Sequence, residues 1–273
     1  MLNLTKYDVI MFLCSSKGDS CQISVKIVEK LYIHSDNPSK LGGFRMIEMI
    51  DVKKTYPNGV IAINGINVKI KPGEFVYVVG PSGAGKSTFI KMMYREEKPT
   101  SGNILVNGVS LPSIRNSKVP LFRRNIGMVF QDFKLLQTFT AYENVAFAME
   151  VIEKEPEEIK KRVMEVLDLV GIKHKARMLP SELSGGEQQR VAIARSIVND
   201  PKVVIADEPT GNLDPETSWE IMNIFEEINK RGTTLVMATH NRDIVNNIKR
   251  RVIAIESGKI VRDEHRGDYG YEI

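Results

Sequence analysis

Eight consecutive residues, Gly80–Ser87, constrain the fold of this chain more than any other feature. They match the pattern G-x-x-x-x-G-K-[ST] of a loop that binds phosphate groups. The apolar run Phe75–Val79 before them predicts a buried strand. The run Ser87–Arg95 after them lacks Gly and Pro and predicts a helix. A strand, a glycine loop and a helix in this order form the context that the motif requires.

The chemistry of this loop follows from its glycines and from its position before a helix. Glycines let successive backbone N–H groups turn towards one concavity, which suits an anion. The positive end of the following helix adds to that preference. We expect Lys86 to reach the β- and γ-phosphates of a nucleotide and the Ser87 hydroxyl to hold Mg²⁺. The alternative is a glycine-rich turn that fits the pattern by chance.

Composition places the chain among ordinary globular proteins. Its 273 residues are 42% hydrophobic and 26% charged, with a net charge of +4. This modest charge gives no strong reason to expect nucleic acid as a partner. No run of about 18 apolar residues exists that would predict a membrane span. Cys14 and Cys21 lack the paired spacing of a zinc site, which fits a reducing, cytosolic setting.

The first 45 residues differ in character from the rest. We predict that 1–45 is a poorly ordered leader or reflects a start codon assigned too early, with Met46 as the true start. The run Met46–Val52 predicts an edge strand, and Asn58-Gly59 predicts a hairpin turn after it. Tyr56, just before that turn, could stack on a nucleotide base or be a half-buried strand residue.

Helical patterns and short apolar runs alternate through the second half of the chain. Helical spacing extends over Glu157–Val170 and Ser184–Asn199, and Asp214-Pro215 begins a further helix. The runs Val203–Ala206 and Thr233–Ala238 predict strands. This alternation predicts an α/β fold with a mostly parallel sheet.

Two acidic residues follow the predicted strand Val203–Ala206. A carboxylate at a strand end beside a phosphate site can hold Mg²⁺ through its water shell, and we assign that role to Asp207. The next carboxylate, Glu208, can orient water for attack on the γ-phosphate. The alternative is that Asp207-Glu208-Pro209 only starts a turn.

A second glycine segment, Leu183–Arg190, opens another predicted helix. Its Ser184-Gly185-Gly186 start offers free N–H groups and a favourable helix dipole to an anion. The alternative is a serine N-cap followed by flexible glycines. One nucleotide does not need two such cradles from one subunit. The second cradle makes sense if it closes over the nucleotide of a partner subunit.

Together these motifs resemble those of the ABC-type ATPases, the nucleotide-binding domains of the transporter superfamily. The resemblance extends from Ile47 to Val261, and Leu183–Gln188 matches the family signature. It implies an ABC-type nucleotide-binding domain over 46–262, with a P-loop core, an N-terminal antiparallel β subdomain and an inserted helical subdomain at about 132–190. Residues 263–273 would form a C-terminal tail.

The same resemblance implies roles for single residues. Tyr56 would stack on adenine, Gln131 would sense Mg²⁺ and the attacking water, Glu208 would be the general base, and His240 would contact the γ-phosphate. A lone histidine after a strand is usually structural, but its place in this series favours the functional role. The ATP-binding set would be Tyr56, Gly80, Pro81, Ser82, Gly83, Ala84, Gly85, Lys86, Ser87 and Thr88. The metal set would be Ser87, Gln131 and Asp207.

Two further groups of residues would act between subunits. Two copies of the chain would enclose two ATP molecules as a homodimer that closes on ATP binding. The signature residues that contact the partner's ATP would be Ser184, Gly185, Gly186, Glu187 and Gln188. The loop that crosses the dimer interface would contain Asn212, Leu213 and Asp214.

Within this superfamily, the tail from Arg251 to Tyr271 resembles the Gram-positive forms of the FtsE family of bacterial cell-division ATP-binding proteins. Three further segments are similar to that family. They are Tyr94–Glu96, Arg123–Leu136 and Ser218–Asn223. That family implies a peripheral protein on the cytoplasmic face of the cell membrane. Its partner would be the integral membrane protein FtsX. The pair would act as a mechanical transducer that activates peptidoglycan hydrolases.

Three alternatives stay open at this point. The first is the ATPase of an exporter of the lipoprotein-release or macrolide-efflux type. The second is a soluble ABC protein acting on DNA or ribosomes, but this chain has neither a long coiled-coil insertion nor a second ATPase core. The third is a scaffold in which hydrolysis is incidental. Because the features of the DNA-acting and ribosomal forms are absent from the sequence, we expect no nucleic acid partner.

An apolar stretch follows Gln131, where such ATPases usually receive a membrane partner. Its residues would form either a socket for that partner or local core of the helical subdomain, and Leu136→Asp would cost membrane recruitment only in the first case. They are Phe133, Leu135, Leu136, Phe139 and Tyr142.

Overall fold

A computed structural model describes residues 45–270 of the chain. The leader predicted for 1–45 therefore lies almost entirely outside the described residues. Strands and helices follow from residue 47 onward. The strands are β1 (Ile47–Thr55), β2 (Ile61–Ile70), β3 (Phe75–Val79), β4 (Ser101–Val106), β5 (Val109–Ser110), β6 (Ile126–Phe130), β7 (Val203–Asp207), β8 (Thr234–Ala238), β9 (Arg251–Glu256) and β10 (Lys259–Glu264).

Three helices match predicted segments to within two residues at each end, and a fourth begins at the predicted Pro215. They are α1 (Lys86–Met93), α2 (Val119–Arg123), α3 (Ala141–Glu150), α4 (Pro156–Leu169), α5 (Gly185–Ile197), α6 (Pro215–Lys230) and α7 (Arg242–Asn247). Short 3₁₀ turns lie at Asn116–Lys118, Lys173–Lys175 and Pro180–Glu182. No helix within 45–270 is long and apolar enough to cross a bilayer.

The larger sheet has six strands in the order β10-β9-β3-β8-β7-β6. Its pairs are parallel except for the β9–β10 hairpin at one edge. Strands β3 and β8 are buried along their whole length, as expected for a parallel sheet covered on both faces. The α/β fold with a mostly parallel sheet is confirmed.

The smaller sheet is antiparallel, in the order β2-β1-β4-β5. Strand β1 pairs with β2 on one side and with β4 on the other. The prediction that Met46–Val52 forms an edge strand is therefore wrong. The second partner, Ser101–Val106, lies about 50 residues further along the chain, so this pairing leaves no mark on the local pattern of β1.

Two apolar clusters hold these layers together. One joins β3, β7 and β8 to helices α3 to α6. The other lies between the two sheets and includes α1. Strand β10 ends at Glu264, two residues into the predicted tail, and the buried Tyr269 packs onto the first cluster. The boundaries 46–262 and 132–190 stay predictions.

Candidate functional site

The carboxyl ends of four parallel strands lie side by side at one edge of the larger sheet. Phe130 of β6 pairs with Asp207 of β7. Asp207 pairs in turn with Ala238 of β8, which pairs with Val78 of β3. Neighbouring strands lie about 4.8 Å apart, so the residues that follow these positions converge on one place. They are Gln131, Glu208, His240 and the phosphate loop that begins at Gly80.

The phosphate loop needs glycine at two positions where the backbone is left-handed and no side chain fits. Gly80 has φ 151° and Gly85 has φ 108°. A Cβ on Gly80 would collide with the carbonyl oxygen of Ile255 in β9. One on Gly85 would collide with the carbonyl oxygen of Ala62 in β2. Both obstacles are backbone atoms, so no side-chain rotation makes room, and the loop is fixed against both sheets.

This loop carries several unused hydrogen-bond donors. Within 45–270, the backbone N–H groups of Gly83, Gly85, Lys86 and Ser87 make no hydrogen bond. The Lys86 ammonium lies over the loop and donates to the carbonyls of Gly80 (2.8 Å) and Pro81 (3.1 Å). Free N–H groups, a helix N-terminus and an ammonium group together form a site suited to a phosphate group.

Tyr56 lies beside the helix that the phosphate loop starts. Its hydroxyl is 3.2 Å from the Thr88 hydroxyl, one turn into α1. The Lys54 ammonium lies 4.9 Å from the centre of the Tyr56 ring and also contacts the Glu97 carboxylate at 2.6 Å. This aromatic ring is therefore held next to the phosphate loop. Its stacking on adenine stays a prediction.

Glu208 and His240 are in direct contact at the sheet edge. The Oε2 atom of Glu208 lies 2.7 Å from His240 Nδ1 and accepts the His240 backbone N–H at 3.0 Å. Glu208 itself has φ 50°, a conformation that costs a non-glycine residue about 1–3 kcal/mol. Its backbone N–H donates to Ala238 at 2.9 Å, which helps to hold the strained residue in place. The two side chains expected to serve hydrolysis are thus brought together.

The residues expected to hold a metal fit Mg²⁺ in their chemistry. Burial, and then the neighbouring Glu208 carboxylate, raise the pKa of Asp207, so a cation near this group would relieve an unfavourable charge. Residues 45–270 contain no cluster of three or more His, Cys, Asp or Glu that could hold a metal. Mg²⁺ usually takes one or two carboxylates and completes its shell with substrate phosphates and water. One aspartate, the Ser87 hydroxyl and the Gln131 amide suit that pattern.

Gln131 forms a reciprocal pair of hydrogen bonds with Asn212. Its side-chain Nε2 donates to Asn212 Oδ1, and Asn212 Nδ2 donates to the Gln131 carbonyl, both at 3.1 Å. This contact leaves the Gln131 Oε1 oxygen available to a metal or water. Asn212 was expected only at a dimer interface. Its link to Gln131 has no signal in the sequence, because the two residues are 81 positions apart.

The other residues of the predicted interface loop have separate contacts. Leu213 lies next to Gly185, where a Cβ would be 3.5 Å from Leu213 Cδ2. Asp214 is the N-cap of α6 and accepts the Thr217 backbone N–H at 2.9 Å. The loop is therefore packed between Gln131 and the start of α5 within a single chain.

The signature segment forms a capped helix start. Ser184 Oγ accepts the Glu187 N–H at 3.3 Å, and the Glu187 carboxylate accepts the Ser184 N–H at 2.8 Å. Glu187 also pairs with Lys175, and Gln188 donates to the Leu183 carbonyl at 3.1 Å. Ser184 is exposed. Among the described residues, no hydrogen bond or ion pair joins this segment to the phosphate loop of its own chain.

The apolar residues after Gln131 divide between core and surface. Leu135 and Leu136 are only 2% and 5% exposed. Phe133 and Tyr142 are half-buried and pack against the same core, and Phe139 contacts Phe147 edge to face. The local-core alternative therefore holds for the two leucines. Leu136→Asp would damage the fold and is not a test of membrane recruitment.

Two polar contacts of α5 are not among the sequence predictions. The Gln189 side chain, fully buried in α5, donates to the Pro209 carbonyl at 2.6 Å. Arg195, also in α5, donates to the carbonyls of Lys134 (2.6 Å) and Phe133 (2.9 Å). An arginine inside the apolar run Val191–Val198 was the available signal for the second contact. No sequence signal identified the first.

Comparison with known proteins gives consistent results. Residues 63–211 match the family model described as ABC transporter. The chain is 72% identical over 225 residues to the cell division ATP-binding protein FtsE of Bacillus subtilis, covering 82% of this chain and 99% of that protein. It is 63% identical over 227 residues to FtsE of Streptococcus pneumoniae D39, covering 83% of this chain and 99% of that protein.

A solved structure shares the architecture. It is a dimeric ATP-binding cassette in a post-hydrolysis state, bound to ADP and Pi. The TM-score is 0.74 at 35% sequence identity, over 83% of this chain and all of that one.

Proposed function

The chain belongs to the ABC transporter family, in the group of cell division ATP-binding proteins named FtsE, and from that premise we propose that it drives a membrane complex in cell division. It is an ABC-type ATPase. The observation that carries the proposal is 72% identity to one such protein across 99% of that protein's length. Its candidate nucleotide site also supports the proposal, because it places Lys86 over the phosphate loop and Glu208 against His240.

The reaction proposed for this site is attack of water on the γ-phosphate of ATP. The loop N–H groups and Lys86 bind the β- and γ-phosphates and neutralise their charge. Glu208 takes a proton from the attacking water as general base. His240, which is hydrogen-bonded to Glu208, holds that carboxylate and contacts the γ-phosphate. ADP and phosphate are the products.

Ser87, Asp207 and Gln131 are the residues that would hold Mg²⁺. When bound, it supplies neutralising charge to the phosphate oxygens. Asn212 keeps the Gln131 amide turned so that its oxygen is the free atom. Asp207 must be ionised to take part, and the Lys86 and Lys91 charges favour that form against burial.

The active form is proposed to be a homodimer that encloses two ATP molecules. Ser184 is exposed at the start of α5, and the N–H groups of Gly185 and Gly186 make no hydrogen bond within 45–270. These groups are suited to the phosphates of a partner's nucleotide. The dimeric cassette bound to ADP and Pi supports such an assembly. ATP then favours the closed dimer, and hydrolysis favours its opening.

The partner proposed for this dimer is the integral membrane protein FtsX. The dimer would bind it at the cytoplasmic face of the cell membrane as a peripheral subunit. Closure and opening of the dimer would act mechanically through FtsX on peptidoglycan hydrolases outside the membrane. The names of relatives in several bacteria support a role in division.

The test is a pull-down with the Glu208→Gln protein, which is expected to keep ATP bound in the closed dimer. Detergent-solubilised membranes from the native source are incubated with it in ATP and Mg²⁺. Recovery of a four-span membrane protein with a large extracellular loop supports the proposal. The matched control is Glu227→Gln, the same change at an exposed ion pair of α6.

Two other results would redirect the proposal. Recovery of a transporter with a substrate-binding partner would favour the exporter ATPase. Recovery of no membrane protein, together with normal division in cells that carry Glu208→Gln, would favour a scaffold. Either outcome would contradict the division transducer.

A further inference from the structure

Two successive residues after Gln131 adopt a conformation that their side chains disfavour. Phe133 has φ 59° and Lys134 has φ 49°. Within residues 45–270 no other two successive non-glycine residues have positive φ. A left-handed backbone brings Cβ close to the following carbonyl oxygen, so each of these residues costs free energy. Something in the fold must hold this turn.

The Arg195 side chain is in contact with both carbonyl groups of that turn. Its Nη1 donates to Lys134 at 2.6 Å and its Nη2 to Phe133 at 2.9 Å. A planar guanidinium group presents two parallel donors, which a lysine ammonium cannot do in the same geometry. The contact is therefore specific to arginine and to this arrangement of carbonyl groups.

The charge of Arg195 has no acidic partner in the described part of the chain. No carboxylate of residues 45–270 lies within 4.0 Å of its guanidinium, and burial lowers the pKa of this group to about 10. A partly buried charge without a counterion is unfavourable unless polar groups compensate it. The two carbonyl dipoles of the turn supply that compensation.

Helix α5 approaches the turn at two separate points. Its first residue, Gly185, lies near the Phe133 ring, where a Cβ would be 3.8 Å from Phe133 Cζ. Arg195 lies ten residues further on, about 15 Å along the helix. The helix that begins with the signature residues therefore starts near the turn and binds it further along through Arg195. Gln131 is two residues before Phe133, so it is tied to the same helix.

We propose that Arg195 is a positioning residue for ATP hydrolysis: it clamps the left-handed turn Phe133–Lys134 and so links Gln131 to the signature helix α5. This inference rests on the proposed role of Gln131 in the site. Loss of the clamp should let Gln131 move while the phosphate loop stays in place. The turnover number should fall, and KM for ATP should change little.

The experiment measures steady-state ATP hydrolysis by the purified full chain. Arg195→Met is expected to lower kcat between about tenfold and about 100-fold, the effect of small displacements in a catalytic site, with KM within about twofold. Arg195→Lys keeps the charge but loses the paired donors. Its kcat should lie between that of Arg195→Met and that of the unaltered protein. Arg190→Met is the matched control. Arg190 is also in α5 and donates to a backbone carbonyl, at Val170, but does not contact the turn.

The decisive readout is rescue by glycine at the strained position. Lys134→Gly removes the cost of the left-handed backbone, so Arg195→Met in that background should lower kcat less than about threefold. Lys134→Ala, which also removes the Lys134–Asp132 ion pair but keeps the strain, should not rescue. A residue that only fills space in the core would show no such difference between glycine and alanine.

Several results would overturn the inference. They are an unchanged kcat in Arg195→Met, an equal loss in Arg190→Met, and an equal loss with and without Lys134→Gly. If Arg195→Met does not fold, the same comparison is made with Arg195→Lys, for which equal losses in both backgrounds would have the same meaning. If the unaltered protein does not hydrolyse ATP, or Glu208→Gln hydrolyses it normally, the proposed function fails instead.

Discussion

The phosphate loop and the signature segment are both glycine-serine stretches at the start of a helix, but they are built differently. The phosphate loop reaches α1 through Gly85 in a left-handed conformation, with no side-chain cap. The signature segment reaches α5 through Ser184, which forms a capping box with Glu187. One helix start leaves its N–H groups to a ligand, and the other satisfies part of them from its own chain.

The glycines of the two segments are required for different reasons. Gly80 and Gly85 have positive φ and lie against backbone carbonyls. Gly185 and Gly186 have ordinary helical backbones, and a Cβ on Gly186 would meet only the Thr217 side chain. The first segment is fixed in a conformation that no other residue accepts. The second is fixed by packing and capping, which suits a surface that meets its ligand only when a partner subunit arrives.

Replacing the lysine beside each segment should produce the largest difference between the two segments, measured as kcat/KM for ATP. Lys86→Ala removes the ammonium that lies over the phosphate loop and should lower kcat/KM for ATP by about 1,000-fold, the upper range for loss of one charged donor. Lys175→Ala removes the lysine that pairs with Glu187 in the signature segment and should lower kcat/KM for ATP less than about tenfold. Steady-state ATP hydrolysis by each variant measures both changes in kcat/KM. Equal losses would mean that the two segments bind ATP in the same way.

Alanine at a glycine position should separate backbone strain from packing. Gly80→Ala meets the Ile255 carbonyl and a positive φ, so we expect a loss of about 3 kcal/mol in the free energy of unfolding. Gly186→Ala meets a threonine methyl group and should cost about 1 kcal/mol. Adding Thr217→Ser removes that methyl group and should restore Gly186→Ala in denaturant unfolding. Failure of this rescue would show that Gly186 also needs a special backbone.

The same contrast explains which parts of the site could be predicted from sequence. The strand ends that carry Gln131, Glu208 and His240 are marked by short apolar runs, and parallel pairing brings such ends together. The left-handed backbone at Gly80 and Gly85 favours glycine, so the residue type itself indicates these conformations. These features are local or follow from simple topology.

The features that escaped prediction depend on distant partners. Strand β1 was assigned to an edge because its pairing with β4 is not visible in its own pattern. The left-handed turn at Phe133 and Lys134 has no sequence mark, since neither residue type prefers that conformation. Leu136 could have been surface or core, because apolar character suits both. Each depends on tertiary contacts, which local sequence does not determine.

Loss of the cap should test whether Ser184 acts beyond its own helix. Ser184→Ala should cost about 1 kcal/mol in the free energy of unfolding, as for other N-cap residues. Thr140→Ala is the matched control, because Thr140 forms the same capping box with Glu143 at the start of α3. Ser184→Ala should in addition lower kcat by at least about tenfold, since its hydroxyl is expected at the partner's nucleotide. If both variants lower kcat equally, Ser184 is only a cap.

The smallest expected effect is an electrostatic difference in stability between the capping box of Glu187 and that of Glu143. Lys175 and the Ser184 N–H lower the pKa of Glu187, while Thr140 alone lowers the pKa of Glu143. A carboxyl whose folded pKa is lowered stabilises the fold above its unfolded pKa, about 4.3, and this contribution is lost as the pH falls through the folded pKa. Glu187→Gln should therefore cost stability at pH 7 and almost none in acid.

The ion pair with Lys175 should make that loss larger than for Glu143→Gln by about 0.5 kcal/mol at low ionic strength. In about 1 M salt, where the screening length is about 3 Å, the two losses should converge. Urea unfolding of both variants at pH 7, at low and high salt, makes this measurement. If the difference between them persists in salt, the rigidity of the signature segment comes from packing against Thr217 and Leu213 and not from its ion pair.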